Sequence, residues 1–276
     1  MAGLTHALTQ AQVDALRMLK ERWHGRYRFA LIGATAMAIQ LPPPSRATED
    51  IDVIVVVDDV SFDAVDLDWE RFPGVPHRWR APNGVEVDVL PVGKSERAPQ
   101  EIGWPGGGRT LNLLGLRHAF LRSRSLTLEP GLDVELPGLP VIALLKMISF
   151  EDRPSERGKD LGDLALLLDE WLPIDADARF GQSVPPDLDS DLVGAYLLGE
   201  EIGGFALPVE VRVVRSWCAR LRRDDDPVGA RSKMIRSAPL AWRGSDDGLD
   251  HRLDALMRGL DVGLASRCEA DEGNEA

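Results

Sequence analysis

Apolar and polar positions change period several times along this chain. Val13, Leu16, Leu19 and Trp23 recur near helical spacing behind Thr9, a residue suited to capping, so the pattern predicts an amphipathic helix over 9–23. Residues 27–32 read as a strand that turns at Gly33 into a short helix over 35–40, ended by Pro42, Pro43 and Pro44. A second apolar run through Val57 is opened by two carboxylates, Asp50 and Asp52. Residues 61–71 suggest a turn and a helix. Residues 77–80 and 85–90 flank Pro82, Asn83 and Gly84, turn residues between alternating runs, which predicts a β-hairpin. Leu113, Leu116, His118 and Leu121 mark another helix, with His118 a partly buried structural residue. After Pro140 the pattern becomes helical: an apolar helix over 141–150, a break at Pro154, then a leucine-rich helix ending near Trp171. Residues 173–190, rich in Pro, Asp and Ser, read as a loop, and further helices follow to 265. The expected architecture is α/β (α+β), with a mixed-sheet core over 1–136, a helical region over 137–265 and a disordered acidic tail over 266–276.

The chemistry concentrates where strand meets turn. Side chains alternate along a strand, so Asp50 and Asp52 share a face while Ile51 and Val53 point to the core. Two acids on one face are costly without a cation, and a hard ion such as magnesium takes carboxylate oxygens together with substrate phosphates. Gly33, Ala34 and Thr35 form the matching phosphate end, because glycine lets backbone approach a ligand and the next helix offers free N–H groups. Arg46 and Thr48, just ahead of the acidic strand, are placed to touch substrate; for Arg46 a salt bridge to Glu49 or another acid is the alternative. On the second hairpin strand Glu86 and Asp88 face away from Val85, Val87 and Val89, where an acid would complete a three-carboxylate site. Lys146, inside an apolar helix, needs an anionic partner, either a protein carboxylate or a triphosphate. The loop over 103–108, GWPGGG, matches no phosphate-binding pattern and reads as a glycine-rich surface turn.

Ile32-Gly33-Ala34, a spacer, and Asp50-Ile51-Asp52-Val53 together resemble the signature of the nucleotidyltransferase superfamily, and of AbiEii-type proteins in particular. Ala34 departs from the serine or glycine common at that turn. The resemblance, which covers roughly 30–205, implies a nucleotidyltransferase-like core. It implies that Asp88, within Val87-Asp88-Val89-Leu90-Pro91, is the third acid. Asp50, Asp52 and Asp88 would then hold Mg2+, two ions in number with Mn2+ as a substitute. Lys146, and Asp160 and Asp163 of Lys159-Asp160-Leu161-Gly162-Asp163-Leu164, would belong to the active site: Lys146 on the triphosphate, Asp160 beside it, Asp163 as an orienter. The implied activity moves an NMP from an NTP to an acceptor hydroxyl, on RNA or tRNA, in a toxin or phage-defence protein with a cognate antitoxin.

Charge adds a rival. The 276 residues carry a net charge of −13, which argues against broad phosphate-backbone binding but leaves room for a local basic groove. Arg22, Arg26 and Arg28, Arg117, Arg122 and Arg124, and Arg215, Arg220, Arg222 and Arg223 are the candidates for one, or else solvated faces balancing acids. An acidic protein also suits a small cationic acceptor, as in antibiotic-type nucleotidyltransferases, and Ala34 hints at a noncatalytic nucleotide-binding or interaction module. The 44% hydrophobic content is globular. No apolar run of about 18 residues and no signal-peptide pattern occur, so no membrane role and a cytoplasmic location are expected. Cys218 and Cys268 stand in no metal-ligand spacing and are expected to be free thiols.

Overall fold

A mixed sheet whose central strands are largely buried on both faces carries the first part of the chain. The computed structural model describes residues 8–23, 25–41, 48–94, 100–173, 175, 183–239 and 247–274. β1 (Phe29–Ile32) lies between β2 (Ile51–Val57) and β9 (Leu132–Pro137), antiparallel to the first and parallel to the second. With β3 (Glu70–Arg71), β4 (Arg78–Arg80), β5 (Glu86–Gly93) and β8 (Ser123–Glu129) they form a seven-stranded mixed sheet of order β3-β4-β5-β2-β1-β9-β8. β2 and β5 run parallel, so both faces need cover, and their near-continuous Val and Ile content fits that burial. β6 (Glu101–Gly103) and β7 (Thr110–Asn112) form a separate ribbon, and the glycine-rich turn over 103–108 is its tip.

Helix α1 (Gln10–Trp23) starts as its sequence predicts: Gln12 N–H donates to the Thr9 hydroxyl at 3.2 Å while Thr9 N–H donates to the Gln12 side chain at 2.9 Å. This reciprocal arrangement satisfies two donors that the first turn leaves open. Trp23 ends the helix and packs edge-on against Tyr27 and Phe29, centroids 5.7 and 5.2 Å away. The 82–84 turn also forms: Ala81 N–H donates to Val85 O, and Gly84 takes φ +90°.

The chain divides into two compact units, Met1–Ile142 and Ala143–Ala276, with the division inside α4 (Leu139–Asp152). The second unit is helical among its described residues: α5 (Gly158–Glu170), α6 (Val193–Gly203), α7 (Pro208–Leu221), α8 (Ala230–Ser237) and α9 (Gly248–Asn274). Its tightest packing is a glycine seam between α6 and α9. A Cβ on Gly199 or Gly203 would stand 2.0 or 2.3 Å from Leu256 or Leu260 O, and one on Gly259 or Gly263 would stand 1.9 or 2.1 Å from Tyr196 or Glu200 O. Here the two helix backbones touch, and no side chain fits between them. Cys218 is buried, which pushes its thiol up to about 12, and Cys268 is exposed; both are free. No described helix is long and apolar enough to cross a membrane.

Three sequence expectations are corrected. Residues 61–71 form one 3-10 turn, Phe62–Ala64, and then the strand β3, because Phe62, Val65 and Leu67 are all buried along an extended path and Arg71 donates to Phe62 O and to Asp63. The helix around His118 is only α3 (His118–Leu121), followed by the unpredicted β8–β9 hairpin, whose signal was Pro130-Gly131 between alternating runs. The expected disordered tail from 266 is instead helical through Asn274, and Arg267 anchors it by donating to Ala206 O at 2.8 Å.

The seam makes a sharp contrast between two glycines. Gly259→Val must separate α6 from α9 and should lower unfolding free energy by about 3 kcal/mol or more. Gly158→Ala, whose new Cβ meets only Lys233 at 4.0 Å, should stay within about 0.5 kcal/mol of the parent. Urea denaturation of both variants is the check.

Candidate active site

Register decides where the acids fall. On the parallel strands β2 and β5, Asp52 is paired with Asp88, and Asp50 stands two residues earlier on the same side. One carboxylate oxygen from each of Asp50, Asp52 and Asp88 lies within 4.8 Å of the others. Asp88 is buried, while Asp50 and Asp52 are half-buried. β1 brings the turn to the same place, because Ile32 pairs with Asp52 and Gly33 follows at φ +68°. A Cβ on Gly33 would stand 2.1 Å from Asp52 Oδ2, so conformation and space both require glycine. Helix α2 (Gly33–Gln40) opens there, and its first-turn N–H groups, those of Ala34 and Thr35 included, have no partner within the helix. The Thr35 hydroxyl is fully buried and donates to Asp50 O at 3.0 Å, and the Thr48 hydroxyl donates to the Asp50 carboxylate. Both threonines therefore fix the chain at Asp50. Arg46 lies outside the described residues.

The sequence reading passed over the residue that holds this cluster together. Arg78 is paired with Asp88 across the β4–β5 hairpin. Its Nε and Nη2 donate to the two oxygens of Asp88 at 2.7 and 2.8 Å, its Nη1 donates to Glu86 at 3.1 Å, and Asp50 Oδ2 is 3.8 Å from Nη2. The two hydrogen bonds to Asp88, with the acids around it, hold the guanidinium charged well beyond its ordinary range. His77 Nε2 stands 3.8 Å from Asp88 Oδ2, and its ring packs edge-on to Trp104 of the 103–108 loop at 5.3 Å. A usable signal was present: the hairpin aligns Arg78-Trp79-Arg80 with Glu86-Val87-Asp88 in complementary charge.

Three hard oxygen donors converging on one point suit a hard divalent cation. The chemistry of the donor set thus fits a metal of the magnesium type, with the phosphate-favouring turn beside it.

In the second unit Lys146 and Asp160 meet each other and Asp163. Lys146 Nζ donates to Asp160 Oδ1 at 3.1 Å and to Asp163 Oδ2 at 2.6 Å, and all three residues are buried. Burial by itself would lower the lysine pKa, but Asp160 and then Asp163 outweigh it and raise it. The protein carboxylates that the sequence offered as one partner for Lys146 are therefore present. Asp160 Oδ2 is buried and accepts no hydrogen bond among the described residues. The C-terminal arginines are committed: Arg215 pairs with Asp261, Arg220 with Glu151 and Asp226, Arg222 with Asp254 and Arg223 with Asp225. Arg22 pairs with Asp68 and Arg28 with Glu135.

Residues 17–184 match the family described as nucleotidyl transferase AbiEii toxin, type IV toxin–antitoxin system. The chain belongs to this family. As an AbiEii protein it is a nucleotidyltransferase of the toxin class, with a nucleotide substrate and an antitoxin partner in its system. A solved structure, an antigenic nucleotidyltransferase-like protein from Paracoccidioides brasiliensis, is similar over 63% of this chain and 82% of its own, at 19% identity and a TM-score of 0.39. No curated protein matches the chain.

The AbiEii chain should depend on the Lys146 triad for stability. Lys146→Ala strands two buried carboxylates and should cost about 3–5 kcal/mol at neutral pH, read by urea denaturation. Because the folded-state pKa of Lys146 is raised above lysine's ordinary 10.5, the triad's contribution is complete below that value and is lost as pH rises through the raised one. The gap between parent and variant should stay constant from neutral pH to near 10 and narrow only above it.

Proposed function

We propose that the chain transfers an NMP from an NTP to an acceptor hydroxyl on RNA, tRNA in particular, in a metal-dependent reaction that releases pyrophosphate and serves a cytoplasmic toxin or phage-defence role. The convergence of Asp50, Asp52 and Asp88 beside the Gly33 turn carries this reading. Magnesium or manganese held by these three residues, two ions in the fullest form, would neutralise the triphosphate and steady an in-line displacement.

Every other contribution comes from the chain. Backbone N–H groups at Gly33, Ala34 and Thr35 seat the phosphates, a role that survives alanine at the second position because it needs no side chain. Arg46 and Thr48 flank the nucleotide, with Thr48 acting through its hydrogen bond to Asp50. Asp88 takes the proton of the acceptor hydroxyl as the new bond to the α-phosphorus forms and the bond to the bridging oxygen breaks. Lys146, supported by Asp160 and Asp163, screens the departing pyrophosphate. Lys146 brings the positive charge this role needs, since its two carboxylate partners keep the ammonium charged. The small cationic acceptor remains the second reading, favoured by the net charge of −13.

Asp52→Asn should abolish transfer of label from α-labelled NTP to total RNA while leaving the melting temperature at or above that of the parent, because it relieves repulsion among crowded acids. The assay runs each of the four NTPs against total RNA and against an aminoglycoside, with gel and small-molecule readouts. Retained transfer in the variant refutes the mechanism, and label on the aminoglycoside alone replaces the acceptor.

A further inference from the structure

We infer that Arg78 is a resident counter-cation that a divalent ion must displace from Asp88, and that it sets how tightly the three-carboxylate cluster binds metal. The inference rests on the metal reading of Asp50, Asp52 and Asp88 proposed above. Its own ground is the geometry of the guanidinium. Arg78 engages both oxygens of Asp88 at once, through Nε at 2.7 Å and Nη2 at 2.8 Å. A fork of this kind occupies the directions in which a carboxylate best meets a cation. The same group lies 3.8 Å from Asp50 Oδ2 and donates to Glu86 at 3.1 Å, so one positive charge is shared among three acids.

Two consequences follow for a metal. It must compete for Asp88, and it must enter beside a fixed positive charge. The fork also has a use without metal, since it offsets the mutual repulsion that would drive Asp88 and Asp50 apart. Arg78 is thus a positioning residue that keeps the acids assembled while making the site selective for an ion of high charge density. The strands enforce this arrangement, because Arg78 and Asp88 are register partners in the antiparallel β4–β5 pair and Asp88 and Asp52 are register partners in the parallel β2–β5 pair. A lysine at 78 would keep the charge but could not form the fork.

The test is Mn2+ binding by the full chain, followed by loss of the free-ion electron paramagnetic resonance signal, for the parent, Arg78→Met, Arg78→Lys and Asp52→Asn. Arg78→Met should bind Mn2+ about tenfold or more tightly than the parent, because one competing positive charge beside a divalent ion is gone. Arg78→Lys should fall between the two. In chelator the melting temperature of Arg78→Met should drop, and its rise on adding Mn2+ should exceed that of the parent. Should Arg78→Met fail to fold without metal, Arg78→Lys carries the comparison. A folded Arg78 variant with unchanged or weaker Mn2+ affinity overturns the inference and leaves the metal site standing. If the parent binds no Mn2+, or Asp52→Asn binds it as well as the parent, the metal reading falls and the inference with it.

Discussion

Three carboxylates held within 4.8 Å of one another repel, and the first unit is organised around keeping them there. At about 4 Å two like charges cost on the order of 4 kcal/mol at the effective dielectric of a protein surface, so the arrangement persists only because the backbone fixes it and a cation offsets it. The backbone part is the parallel pairing of β2 with β5, in which Ile51, Val53, Val55, Val87 and Val89 bury the core side and leave Asp52 and Asp88 together on the other. Burying those apolar side chains contributes about 1.5–3 kcal/mol each, enough to outweigh the repulsion. The cationic part is Arg78. Gly33 belongs to the same constraint, because any larger residue would push the Asp52 carboxylate out of the cluster.

What the sequence made legible follows from which interactions are local. Asp50 and Asp52 were readable because strand alternation needs no knowledge of neighbours, and the Gly33 turn because a glycine between a strand and a helix has few other uses. Asp88 needed more: Glu86 and Asp88 share one face of β5, so alternation alone leaves both open, and the choice of Asp88 came from the family resemblance, with which the β2–β5 register agrees. Arg78 lay in plain view on the hairpin. Its role depends on the cross-strand register that pairs it with Asp88, which the alternation of a single strand does not reveal. The β8–β9 hairpin was harder to read for a different reason: Pro130-Gly131 marks its turn and β9 alternates, but β8 is an edge strand with mixed exposure in which only Leu126 and Leu128 carry the pattern. The supposed helix over 61–71 failed because Phe62, Val65 and Leu67 are buried by tertiary contact that helical periodicity cannot anticipate.

The ion triad of the second unit raises a physical question of its own. A buried lysine between two carboxylates is a poor way to stabilise a helix pair, since apolar residues of similar volume often do as well or better. Packing alone therefore gives no reason for Lys146, Asp160 and Asp163 where Leu161, Leu164, Leu167 and Leu168 already fill the core beside them. Two carboxylate oxygens accept from one ammonium, and Asp160 Oδ2 has no donor among the described residues. A fully satisfied buried network rigidifies a core, whereas a buried oxygen left without a donor costs stability.

The acceptor question turns on the same accounting of charge. Six arginines that the sequence offered as a basic surface are already paired with acids: Arg22, Arg28, Arg215, Arg220, Arg222 and Arg223. Apart from those of Arg220, whose partners Glu151 and Asp226 are largely buried, these pairs are exposed and weak, about 0–1 kcal/mol each, so a phosphate could compete for such a guanidinium, but it would release an acid into a protein already at −13. Any contact with RNA would then involve few phosphates and be local. Near the acids, β4 offers Arg80, whose partner Glu70 is exposed and 3.4 Å away, two register steps from the Arg78–Asp88 pair. A nucleic acid held there would be recognised chiefly by the group that enters the site, and its binding would weaken with salt along a shallow slope, because each neutralised phosphate contributes about one unit or less to the log–log dependence.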